Sequence, residues 1–169
     1  MNWTKLLESE IEATYHATDG LMKKAGKLPL DWKPASGANW MTTGQLLAHL
    51  TSACGFCCKG FVTGDWGMPK DADQGDMLPP AEKMPSVKSV AAARKALAKD
   101  KALALEMVRK VGEKGLGTKM VTAPWNPTPA PIGHQFLQMV GHLSQHKSQL
   151  FYYLKLQGLP VHTGDLWGM

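Results

Sequence analysis

Cysteine is scarce in this chain: Cys54, Cys57 and Cys58 are all it has. Their number is odd and they crowd into five residues, so no disulfide framework can be built from them. "CGFCC" holds one C-x-x-C spacing, but no second pair completes a structural zinc site. No strand pattern precedes it, as a thioredoxin-like motif would want. On a helix, Cys54, Cys57, Ala53 and Phe61 share one face, which reads as small buried hydrophobes. Long apolar runs are missing too; none approaches the roughly 20 residues of a membrane span. The opening "MNWTKLLESEIE" lacks the basic-then-apolar order of a secretory signal. The expectation is a cytoplasmic protein with no membrane partner. No segment sustains two-residue alternation, so no real sheet is expected. No G-x-S-x-G motif is present, which removes the hydrolase nucleophile elbow. Acidic residues are outnumbered, 14 against 19 Lys and Arg. A net charge of +5 would tolerate anionic partners, but the basic residues are scattered. Lys23, Lys24 and Lys27, then Lys95, Lys99, Lys101, Arg109, Lys110 and Lys114, read as solvated helix faces. No nucleic-acid-binding motif appears, and no such partner is expected.

What is present is helical periodicity. A chain of 169 residues suits one domain, taken here as 1–169. Leu6, Leu7, Ile11, Thr14, Tyr15, Thr18 and Leu21 recur at threes and fours, giving a first helix from Thr4 to about Gly26. "TTGQ" offers a capping box, Thr42 with Gln45, for a second helix running to Thr63–Gly64. Ser86 is the cap candidate of a third, Ala- and Leu-rich helix that stops at the glycines of "GEKGLG". A fourth opens near Pro131 and ends at Gly158, with apolar residues from Ile132 to Leu154 on one face. The expected class is all-α, a four-helix bundle.

The connection from Gly64 to Pro85 far exceeds the roughly 2 to 8 residues usual between bundle helices. It is long enough to return along a helix of about 30 Å, so helices 2 and 3 can run parallel across a long crossover. A lid is its other use, with Trp66, Met68, Met77 and Met84 available to roof an apolar pocket. Its "DADQGD" followed by Glu82 only echoes a calcium loop, because the glycine is misplaced and Pro79-Pro80 would distort the turn.

The chemistry lies in "GHLSQHKSQL". His142 and His146 are four residues apart, so on a helix they point only about 40° apart and can share one metal ion. The third ligand should face inward from a neighbouring helix. His49, in "QLLAHL" at the edge of the second helix's apolar stripe, qualifies best. His16 is weaker, having Glu12 and Lys23 as neighbours. His134 stands two turns before His142 as a possible distal substrate contact, and His162 lies in the tail. Neutral imidazoles suit zinc, nickel, copper or iron.

Three pieces of the chain resemble the DinB-like family, damage-inducible four-helix bundles related to bacterial thiol S-transferases. They are "TTGQLLAHL", "GHLSQHKSQL", where the family's usual form is N-H-x-x-x-H-R-G-Q, and "YYLKLQGLPV". The resemblance implies His49, His142 and His146 as ligands of a divalent metal ion, zinc or nickel above others. It also implies an up-down-down-up bundle, a homodimer and a role in stress response. Gly141, Lys147 and Ser148 depart from the pattern, while Gln149 keeps it.

Three protein ligands leave a coordination position open, the mark of a catalytic site. A metal there can lower the pKa of water or hold a thiolate as nucleophile. The resemblance favours the second, with mycothiol, bacillithiol or glutathione as the small-molecule thiol and an electrophile as co-substrate. The alternative is a metal-binding bundle without catalysis. Gln149 and Tyr153 lie within about 20° of His142 on the helix and are candidates for hydrogen bonds to ligands or substrate.

Overall fold

The computed structural model describes residues 2–67 and 79–169. Met68, Met77 and the acidic run of the long connection lie outside the described residues. The elements are α1 (Trp3–Lys24), α2 (Thr43–Leu50), α3 (Gly55–Thr63), α4 (Val90–Thr118), β1 (Met120–Ala123), β2 (Asn126–Pro131), α5 (Ile132–Leu156) and α6 (Thr163–Trp167). The protein is mostly helical. α1 packs on α4 and α5, α3 on the same two, and α2 on α5. Leu7, Ile11, Leu46, Leu50, Leu97, Phe136, Leu143 and Leu150 are among the fully enclosed core residues. The outer face of α4 is clasped to α1 by ion pairs, Arg94 with Asp19, Lys101 with Glu12 and Arg109 with Glu8. Lys101 and Arg109 therefore belong to the solvated helix face their scatter suggested, and Arg94 joins them there.

The helix expected from Thr42 to Thr63–Gly64 is broken. α2 and α3 meet at 44°. The reason is local: Thr51 Oγ1 donates to the Ala48 carbonyl at 2.7 Å and Ser52 Oγ to that of His49 at 3.4 Å. Such back-bonding hydroxyls compete with the helical ladder. The break shifts the register of the cysteines, so that Cys54 and Cys58 are buried while Cys57 is half-buried. Burial pushes the Cys57 thiol up to about 12, with Cys54 and Asp100 adding to the effect. It holds Cys58 high as well. Cys54 and Cys58 are thus packed as small buried hydrophobes, whereas Cys57, expected on one buried face with Cys54, is not fully enclosed.

Three further differences stand out. The cap of α4 is Ser89, whose side chain accepts from the Ala92 N–H, rather than Ser86. α4 also runs past the first glycine: it kinks at Gly112, φ +70°, and resumes to Thr118. A small hairpin joins it to α5, with Val121 opposite Ala130 and Ala123 opposite Asn126. Prolines at 127, 129 and 131 disguised β2 as a breaker. Alternate residues of a strand turn their N–H away from any one neighbour, so a strand with a single partner can carry proline at every second place. No single helix among the described residues is long and apolar enough to cross a membrane.

Candidate metal centre

α2 begins at the anticipated capping box: the Thr42 N–H donates to Gln45 Oε1 at 2.8 Å and the Gln45 N–H to Thr42 Oγ1 at 3.2 Å. The Gln45 amide goes further, donating to the carbonyls of Ala81 and Met84 at 2.7 and 2.9 Å. It thereby ties the far end of the long connection to the start of α2. One turn later the helix carries His49, on its last turn.

The structure brings His49, His142 and His146 together. One ring nitrogen from each lies within 4.8 Å of the others. His49 Nε2 is 3.1 Å from His142 Nε2, and the ring centroids are 4.3 to 5.0 Å apart. Ligand nitrogens about 2.0–2.1 Å from a zinc ion stand roughly 2.9–3.4 Å from one another, so the closest pair already has the spacing of two ligands.

The other face of two rings is held. His142 Nδ1 is 3.0 Å from the Ala53 carbonyl oxygen, which can only accept. The neutral ring therefore carries its proton on Nδ1 and its lone pair on Nε2. His146 Nδ1 is 3.0 Å from Gln149 Oε1, with the same consequence. Gln149 Nε2 in turn donates to Tyr153 OH at 3.4 Å, and that hydroxyl donates to the Met41 carbonyl at 2.9 Å. Tyr153 is fully enclosed, with Trp32 and Trp40 edge-on against it. An outer layer of this kind fixes ring orientation and raises ligand basicity.

All three imidazoles are half-buried and are kept neutral. Burial lowers the His49 pKa from 6.5 to about 4, with His146 and His142 adding to the effect. Burial also lowers His142 and His146. Among the described residues no carboxylate figures in the groups acting on any of them. The donor set is thus three neutral imidazoles, with the protons of His142 and His146 turned outward on Nδ1, which fits a borderline divalent ion.

The remaining histidines stay apart. His16 is exposed and bonds to the Gly168 carbonyl at 3.2 Å. His134 is exposed against Gln138 at 3.0 Å. His162 caps α6 through its side chain. Trp66 packs against Phe61 and Trp125 at 4.9 and 5.5 Å between ring centroids, and Met84 lies against the core. The Ala53 carbonyl was not foreseen as a partner of His142. It accepts only because the helix breaks; in an unbroken helix it would serve the N–H four residues on. "HLTSACG", with two hydroxyl residues and a glycine, was the available signal.

Comparison with curated proteins and with solved structures finds no match. A family model does match, that of the DinB superfamily, over residues 10–150. That span holds α2, α5 up to Leu150 and all three clustered histidines, and the chain belongs to the DinB superfamily.

Proposed function

We propose that this protein is a metal-dependent transferase that activates a low-molecular-weight thiol at His49, His142 and His146. The observation that carries the reading is the donor set: three neutral imidazoles brought together and, among the described residues, no carboxylate with them. A divalent ion held by them would keep its full charge and an open position, which favours an anionic fourth ligand and lowers the pKa of a bound thiol. The chain's own residues would do the rest. Ala53 and Gln149 hold the rings of His142 and His146, Tyr153 anchors Gln149, and the half-buried setting strengthens the attraction for a thiolate. Zinc or nickel suits the nitrogens, and mycothiol, bacillithiol or glutathione would be the thiol. We read α1, the α2–α3 pair, α4 and α5 as the four rods of an up-down-down-up bundle, working in the cytoplasm as a homodimer in stress response.

The test has two stages. Elemental analysis of protein purified without a histidine tag should find one zinc or nickel per chain, lost in His49→Ala, His142→Ala and His146→Ala. Metal content unchanged in all three variants would sink the ligand set. S-conjugation of a halodinitrobenzene should then proceed with one of the three thiols and stop in the same variants. A metal-loaded protein inactive with every thiol would instead be a binding bundle without catalysis.

A further inference from the structure

Asp100 is an acidic residue deep in the protein, only 6% exposed on α4. The chemistry proposed above does not use it. Its carboxylate is aimed at the start of α3, where the N-cap residue Cys54 makes no capping bond with its side chain. The first N–H groups of a helix need acceptors from somewhere. Here Gly55 N–H donates to Asp100 Oδ2 at 2.9 Å and Phe56 N–H to Oδ1 at 2.8 Å. Tyr15 OH, from α1, donates to Oδ2 at 2.6 Å. The fit allows nothing larger than glycine at 55, because a Cβ there would run into the Asp100 carbonyl oxygen.

Two residues before Gly55 stands Ala53, 1% exposed, whose carbonyl holds His142 Nδ1 at 3.0 Å. We infer that Asp100 is a positioning residue for the metal centre: by seating the N-terminus of α3 it fixes the Ala53 carbonyl, and through it the tautomer and aim of His142. This rests on reading the three histidines as the ligand set. The reason the tautomer matters is simple. A neutral imidazole has one lone pair, and without an acceptor at Nδ1 the proton can move to Nε2 and block the ligand atom. His146 supplies an internal reference, since its acceptor is Gln149, on its own helix.

The test compares His142 with His146 in metal-free, nitrogen-15-labelled protein, using long-range proton–nitrogen correlation spectra at mildly alkaline pH. The wild type should show both rings protonated on Nδ1. Asp100→Asn keeps an oxygen for Gly55 and Tyr15 but turns an NH₂ group against the Phe56 N–H. His142 should then move toward a mixture of tautomers while His146 stays. Zinc affinity, measured by competition with a chelator, should fall about tenfold, the lower end for loss of an outer-layer partner. Tyr15→Phe should do the same more weakly, and decides the matter if Asp100→Asn does not fold. His142 unmoved, or His142 and His146 moving together, would overturn the inference. A wild type that takes up no metal would instead overturn the reading of the site, while the tautomers still judge Asp100.

Discussion

Around Asp100 the carboxylate oxygens meet donors: Tyr15 OH, Gly55 N–H and Phe56 N–H lie within 2.6 to 2.9 Å. Around His49, His142 and His146 the ring nitrogens face one another instead. Both clusters take ionisable groups out of water, and burial disfavours the charged form in each. It raises the Asp100 pKa against the pull of its donors, and it lowers those of the three imidazoles. The difference is in what remains unpaired. A cluster whose donors and acceptors are matched holds the fold together. A cluster that converges ring nitrogens on one point, two of them with their protons held outward, could hold a metal ion.

Stability of the metal-free protein should separate the two most sharply. Gly55→Ala drives a methyl group into the α4 backbone, where neither side can yield. It should cost about 3 kcal/mol or more, read from urea denaturation. Asp100→Ala should cost about 3 kcal/mol, because it orphans the Phe56 N–H and the Tyr15 hydroxyl proton and leaves the Gly55 N–H only its longer bond to Tyr15 OH at 3.2 Å. His49→Ala, by contrast, removes a desolvated ring whose polar contacts are other imidazoles, and should change metal-free stability by no more than about 1 kcal/mol. If it destabilises as much as Asp100→Ala, the contrast between the clusters is wrong.

A smaller effect sits in the outer layer. Gln149→Ala leaves His146 Nδ1 without its acceptor, and zinc affinity should drop roughly tenfold with the fold intact. An equal drop in melting temperature and affinity would point to packing rather than orientation.

The smallest effect is on pH dependence. In the metal-free protein His49 takes its proton near pH 4, whereas the unfolded chain takes it near 6.5. Between those values the unfolded state binds more protons, so stability should rise as pH rises and level off above about 6.5. In His49→Gln that slope should shrink. A slope unchanged in the variant would mean that His49 is not held neutral.

Much of the site was legible because helical spacing is a local property. His142 and His146 share a face of α5 whatever packs against it, and Thr42 and Gln45 make their capping box from three residues' separation. Gln149 likewise reaches His146 within one turn. The break after α2 was less legible: Thr51 and Ser52 carried a signal, but the apolar stripe continued across it. The hairpin was hidden because proline on alternate positions reads as a breaker until one sees that, among the described residues, β2 pairs with β1 alone. Asp100, in the run "AKDKAL", looked like any charge on a solvated helix. Its burial follows from Gly55 and Tyr15, 45 and 85 residues away.

What the sequence alone determined is therefore the mostly helical class and the facing of side chains within α1, α2 and α5, since those depend on neighbours three and four residues apart. Only the tertiary structure decided that His49 meets the pair on α5, that the Ala53 carbonyl is released to hold one of them, and that a carboxylate from α4 seats the helix between. Each of these needs two segments distant in the chain to be brought within hydrogen-bonding range, and packing of the whole core sets that distance.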